Sequence, residues 1–266
     1  MSSSSLDLHL YRVAPGGGAC VVLLHGFPLD HRMWDDVAAL LPADVSVVAP
    51  DLPGLGASPL DGEQPPSLEA AADEVAAAVR RGGFAEIVVV GLSMGGYVAL
   101  ALLERHPELV VGLVLVDTRS TPDTDETRAR RLRIADDVVQ TGALVPVSDA
   151  SGLVGLTTRT GRPEVVARLE AWIREQSPEG VAWSQRAMAS RPDRTSVLAS
   201  FSGPSAVVVG DEDELAPPAA AEHMAVHLPD ARVVLVPGSG HMSAVEAPVP
   251  VASAIADVVG RVRQRT

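Results

Sequence analysis

The sequence predicts an α/β fold: a mostly parallel central sheet flanked by helices, with a helical insertion. Two observations carry this. Short β-branched runs such as Cys20–Leu24, Ile87–Val90 and Val111–Val116 alternate with helical stretches of 10–15 residues, the pattern of βαβ units. The runs are continuously apolar rather than alternating, as strands covered on both faces must be.

The chain has 266 residues, which suits one α/β domain with an insertion. Apolar residues make up 47% and aromatics only 3%, so Ala, Val and Leu must fill the core. The formal net charge of −13 argues against nucleic acid or an anionic membrane surface as partner. It also gives no help to an anionic substrate unless the pocket is locally basic. All 21 basic residues are Arg. The single Cys20 excludes an internal disulfide and reads as a small core residue. No apolar run approaches the ~20 residues of a membrane helix, and Met1–Ser5 is polar, so a soluble, cytoplasmic protein without a signal peptide is expected.

Taken in order, Leu6–Tyr11 alternates and reads as a half-exposed strand, Pro15–Gly18 as a turn, and Cys20–Leu24 as a buried strand leading into His25-Gly26-Phe27-Pro28. Asp35–Leu41 is a short helix and Val45–Ala49 a strand, closed by the loop Pro50–Ser58. Ser67–Arg81 is a helix, with Ser67 as N-cap and Gly82-Gly83 as its stop. After strand Ile87–Val90 comes Gly91-Leu92-Ser93-Met94-Gly95, a G-x-S-x-G pentapeptide, and then the helical Tyr97–Arg105. Strand, sharp turn with a serine at its tip, and helix make the context of a nucleophile elbow. A Cβ at either glycine of so tight a turn should clash. With 23 glycines in the chain the pentapeptide alone is weak, and it reads equally as a glycine-rich strand–helix turn.

Residues 119–196 lose the buried strands. Thr124–Gln140, Pro163–Gln176 and Gly180–Ala189 read as helices, so this stretch is expected to form a cap on a core of residues 1–118 and 197–266. The run Arg128, Arg130, Arg131, Arg133 fits a solvated face or the lining of an entrance. Leu, Val, Ile, Met188, Trp172 and Trp183 in this stretch suggest a mostly apolar, modest-sized acyl or alcohol group on the substrate. The strand pattern resumes at Pro204–Gly210, followed by Asp211–Glu214, helix Pro217–His227, strand Val233–Val236, the loop Pro237–Met242 and a closing helix Pro250–Arg263.

Acyl transfer at neutral pH needs a nucleophile, a base, a group orienting the base, and donors for the oxyanion. Each has a candidate at the carboxyl end of a strand, where ligands of parallel sheets bind. Ser93 is the nucleophile, His241 the base and Asp213 the orienting acid, with Asp117 in reserve for that role and Asp211 close by. The backbone N–H groups of Phe27 and Met94 are placed as the oxyanion hole. His25 reads as a structural residue, and His31, His106, His223 and His227 as surface ones, while Asp51 and Ser58 brace their loop. No Cys/His set has metal-ligand spacing and no Lys-bearing phosphate loop exists, so no metal or cofactor is implied.

Four motifs in order resemble the α/β-hydrolase fold superfamily, in its small esterase, enol-lactonase and proline-iminopeptidase-like branch. They are His25-Gly26-Phe27-Pro28, Asp51-x-Pro-Gly-x-Gly-x-Ser58, Gly91-Leu92-Ser93-Met94-Gly95-Gly96, and Gly210-x-x-Asp213 with Gly240-His241. The match covers about residues 20–118 and 200–260. The resemblance implies Ser93, Asp213 and His241 as triad, Phe27 and Met94 as oxyanion donors, and a helical cap over the site. The family opens with a β-hairpin before the strand at Cys20; here only one strand fits, so one edge strand is expected to be missing.

The reaction expected is hydrolysis of a small carboxylic ester or lactone through an acyl-enzyme. C–C bond or amide and N-terminal-residue hydrolysis use the same parts, and a slow-turnover ligand receptor can carry an intact triad. Serine rather than aspartate at the elbow argues against dehalogenase or epoxide hydrolase chemistry. Oligomeric state is not readable.

Overall fold

The computed structural model describes residues 5–15, 18–61 and 64–265. The polar start, apart from Ser5, and the centre of the turn read at Pro15–Gly18 lie outside the described residues.

Seven strands form one sheet: β1 (Leu8–Arg12), β2 (Cys20–Leu24), β3 (Val47–Pro50), β4 (Ile87–Leu92), β5 (Val110–Val116), β6 (Ser205–Gly210) and β7 (Ala231–Val236), in the order β1-β3-β2-β4-β5-β6-β7. Only β1 runs antiparallel, paired to β3. Among the described residues one strand precedes Cys20, in line with the missing edge strand. The helices are α1 (Asp35–Leu40), α2 (Leu68–Arg81), α3 (Met94–Arg105), α4 (Asp125–Thr141), α5 (Leu156–Gly161), α6 (Pro163–Arg174), α7 (Pro178–Ala189), α8 (Thr195–Ser200), α9 (Pro218–His227), α10 (Ser243–Glu246) and α11 (Pro248–Arg263).

The continuous apolar runs are explained by the two layers they separate. Val22, Leu24 and Val89 face the core shared with α2 and α3, while Val21, Leu23, Val88 and Val90 face the one shared with α1 and α11. Each such side chain, removed fully from water, contributes roughly 1.5–3 kcal/mol. Cys20 is buried in the first core. Ser67 caps α2 as read, its hydroxyl accepting the Ala70 N–H at 3.1 Å.

Helices α4 to α8 fill the stretch between β5 and β6, with α4 packed on α7. Two of them, α5 and α8, were not legible. Each is six residues long and lacks a side-chain cap. No described helix is long and apolar enough to cross a membrane.

Candidate active site

Ser93 sits between β4 and α3 at φ 51°, a left-handed conformation that a non-glycine residue adopts only when its surroundings hold it there. Two bonds do so: Ser93 N–H donates to Val116 O at 3.0 Å, and the Thr118 hydroxyl donates to Ser93 O at 2.8 Å. The flanking glycines are required by contact. A Cβ on Gly91 would stand 2.3 Å from Gly95 O, and one on Gly95 would stand 2.1 Å from Leu24 O.

His241 lies in the loop after β7, and Asp213 just past β6. Among them three side chains meet: His241 Nδ1 is 2.8 Å from Asp213 Oδ2, and His241 Nε2 is 2.8 Å from Ser93 Oγ. Asp213 is fixed from the other side, its Oδ1 accepting the Leu215 and Ala216 N–H groups at 2.8 and 2.9 Å. Burial pushes its carboxyl up, but the hydrogen bond and charge of His241 and the two N–H donors outweigh that, so it is held below the usual carboxylate range. An ionised Asp213 makes Nδ1 the protonated nitrogen and leaves Nε2 to accept from the Ser93 hydroxyl.

The loop that carries His241 is held by two buried acids that sequence reasoning left without this role. Glu246 accepts the N–H groups of Gly240, Met242 and Gly155. Asp117, also at positive φ, accepts those of Gly210 and Ser243 at 3.0 and 2.9 Å. Asp117 is thus bound to backbone and makes no hydrogen bond to His241. Burial, then the nearby Asp213 charge, push its carboxyl up to about 7.

His25 is structural. Its Nε2 accepts the Leu52 N–H at 2.8 Å, so Nδ1 carries the proton and donates to Gly26 O at 3.0 Å. Burial lowers its pKa and keeps the ring neutral. Asp51 and Ser58 brace their loop: Asp51 accepts from Ala57 N–H, and the Ser58 hydroxyl donates to Asp51 O. His31 is half-buried rather than a surface residue, its Nδ1 2.9 Å from Asp51 Oδ1 and its ring stacked on His9. Asp30, His31 and Asp51 lie close enough together to hold a cation. Asp30 is already taken by Arg32 and Gln176, and Asp51 by three N–H groups, so the cluster reads as a hydrogen-bonded brace.

The N–H groups of Phe27 and Met94 have no hydrogen-bond partner among the described residues, and Phe27 and Ser93 line one cavity of about 250 Å³. Its other walls come largely from residues 119–196, including Arg119, Arg130, Arg131 and Met188. Met188, Leu153 and Leu215 keep the expected apolar character, and the arginines are added to it. Trp172 instead lies under the guanidinium groups of Arg32 and Arg168, and Trp183 donates its indole N–H to Gln64 O. Of the basic run on α4, Arg130 and Arg131 line the cavity, and Arg128 and Arg133 are exposed. A larger cleft, about 650 Å³, is bordered by His241 and Asp213 but not by Ser93, and carries Asp211, Glu212 and Glu214.

Known proteins resemble this chain over most of its length. The family model for the alpha/beta hydrolase fold matches residues 20–248. A pimeloyl-[acyl-carrier protein] methyl ester esterase from Aromatoleum aromaticum is 31% identical over 250 residues, covering 90% of this chain and 97% of the relative. The enzyme of the same name from Neisseria meningitidis is 30% identical over 242 residues, covering 83% and 86%. A thermophilic esterase from Thermogutta terrifontis, solved with malate bound, superposes with a TM-score of 0.89 at 36% identity, covering 97% of this chain and 94% of that one. The enol-lactonase of Burkholderia xenovorans shares the fold, with a TM-score of 0.83, 23% identity, and 96% and 97% of the two chains covered.

Proposed function

Because the chain belongs to the alpha/beta hydrolase fold family, we propose that it hydrolyses a small carboxylic ester or lactone with Ser93 as nucleophile, His241 as base and Asp213 as orienting acid. The observation that carries the reading is the unbroken relay, with His241 within 2.8 Å of both the Asp213 carboxylate and the Ser93 hydroxyl. The esterases at 31% and 36% identity over most of the chain support the same chemistry.

The steps follow from the geometry. His241 Nε2 takes the Ser93 proton as Oγ attacks the carbonyl carbon, and the negative oxygen is received by the N–H groups of Met94 and Phe27. The tetrahedral species collapses, the ester C–O bond breaks, and His241 returns its proton to the leaving alkoxide. Asp213 stabilises the imidazolium in between. Water, deprotonated by His241, then attacks the acyl-enzyme and releases the acid and Ser93.

Residues 119–196 act in this reading as a cap, since they supply most of the wall facing Ser93. The proposed substrate is a small molecule.

A panel of p-nitrophenyl esters of rising chain length, with lactones and aminoacyl amides beside it, tests the reading. Esters or lactones are expected to turn over fastest, and Ser93→Ala to lower kcat by roughly 10⁶ where chemistry limits the rate. A preference for amides would move the enzyme to another bond. Stoichiometric labelling of Ser93 without turnover would make it a receptor.

A further inference from the structure

The charge distribution around Ser93 contradicts that of the whole chain. The formal net charge is −13, yet the cavity over Ser93 is lined by Arg119, Arg130 and Arg131. Arg131 has a partner, but a shared one: its Nε is 2.7 Å from Asp123, which also pairs with Arg191 at 2.8 Å. Arg119 and Arg130 have no acceptor among the described residues.

Arg119 is the unusual one. It is half-buried, three residues past the end of β5. Every other buried or half-buried arginine among the described residues has an acceptor: Arg32 has Asp30, Arg194 has Glu69 and Glu104, Arg261 has Asp230, Arg162 has Glu246 O. A guanidinium held partly out of water without a counter-charge is costly, and its planar fork matches a carboxylate in two parallel bonds. Glu214, which also borders the cavity, is exposed and makes no ion pair with Arg119.

The acids near His241 fix the direction. His241 must hand its proton to the leaving group, so that group departs beside His241. The larger cleft that His241 also borders carries Asp211 and Glu212 besides the shared Glu214, and these two acids repel an anion. A negative group on the substrate therefore belongs to the acyl part. The cavity of about 250 Å³ has the space of about eight waters at ~30 Å³ each, which suits a short chain.

We propose that Arg119, with Arg130 at the rim, binds a carboxylate on the acyl part of the substrate, so that the enzyme prefers half-esters or lactones of short dicarboxylic acids to neutral esters of equal length. The proposal rests on the ester-hydrolase reading of Ser93 and names its substrate class.

The test compares monomethyl glutarate with methyl pentanoate, which has a methyl group where the first has its carboxylate. Both are followed by pH-stat titration in the wild type, Arg119→Met, Arg119→Lys and Arg130→Met. The wild type is expected to favour the anionic ester in kcat/KM. Arg119→Met is expected to cut the anionic-to-neutral ratio by roughly 10- to 100-fold, mostly through KM, the size of a lost charge-assisted hydrogen-bond pair. Arg119→Lys keeps the charge without the fork and should fall between. Arg130→Met should cut the ratio by a smaller factor. If Arg119→Met does not fold, inhibition of wild-type methyl pentanoate turnover by glutarate but not by glutaramide supports the site, and equal inhibition by both overturns it. Turnover of both esters with no anionic preference, or an equal loss on both in Arg119→Met, also overturns it. Turnover of p-nitrophenyl acetate but of neither methyl ester overturns the substrate class, and turnover of none of the three overturns the hydrolase reading instead.

Discussion

Asp213→Asn isolates the orienting acid with almost no change of shape. Asp213 is 3% exposed and its two oxygens have different partners. Oδ1 accepts two backbone N–H groups, from Leu215 and Ala216, and Oδ2 faces His241 Nδ1. In the variant the backbone donors claim the one oxygen of the amide, so its NH₂ is turned toward His241. That NH₂ donates to Nδ1 and forces the imidazole proton onto Nε2. Nε2 can then no longer accept the Ser93 proton across its 2.8 Å. A wrong-tautomer triad in another serine hydrolase loses about 10⁴ in kcat, or ~5.4 kcal/mol of transition-state stabilisation at 1.36 kcal/mol per decade. The expected result here is a loss of that order in kcat on p-nitrophenyl acetate, with KM within about threefold and the circular-dichroism melt little changed. A loss under tenfold would refute the role of Asp213. A 10⁴ loss in Asp117→Asn without one in Asp213→Asn would transfer the role to Asp117.

Two further expectations test the scaffold. Gly95→Ala places a Cβ 2.1 Å from Leu24 O, a backbone atom that cannot turn aside. Overpacking of this kind costs roughly 1–3 kcal/mol, and it pushes on the strand end that leads to Phe27, so urea midpoint and kcat should fall together. Asp117→Asn should change how stability depends on pH. Because burial and the Asp213 charge raise Asp117 to about 7, the folded wild type keeps a proton that the unfolded chain sheds near 4. Wild-type stability therefore falls as pH rises through that window, by up to ~1.4 kcal/mol per pH unit, and the uncharged variant escapes this fall. The variant-minus-wild-type difference in unfolding free energy should climb from pH 4 to 7 and then level off. A difference independent of pH would show that Asp117 is ionised throughout.

The inner strands were legible because burial on both sheet faces forces continuous β-branched runs, the edge strands β1 and β7 are part-exposed, and only the ends moved, as where β7 begins at Ala231 rather than Val233. Ser93, Asp213 and His241 were legible as candidates because each lies within about five residues of a strand's carboxyl end, so chain order places them on one edge of the sheet. What could not be read was pairing across the insertion. Asp123 joins Arg131 and Arg191, which are 60 residues apart in sequence. The charge of the cavity depends on that pairing, since one acid is shared by two guanidinium groups and none is left for Arg119. The insertion also needs apolar groups to dock itself, which is why Trp172 and Trp183 went to packing and not to the pocket. Glu246 gave a weak signal at most: a lone acid in the apolar stretch Met242–Val249, explained only once three N–H groups are seen to converge on it.

The central claim is that Ser93 is the nucleophile, and trapping it is the most direct test. The wild type is treated with a fluorophosphonate, and the modified peptide is sequenced by mass spectrometry. One phosphonyl group on Ser93, with ester hydrolysis lost in proportion to labelling and no labelling of Ser93→Ala, is the expected result. Modification at another residue, or full hydrolysis by the fully labelled protein, would contradict it.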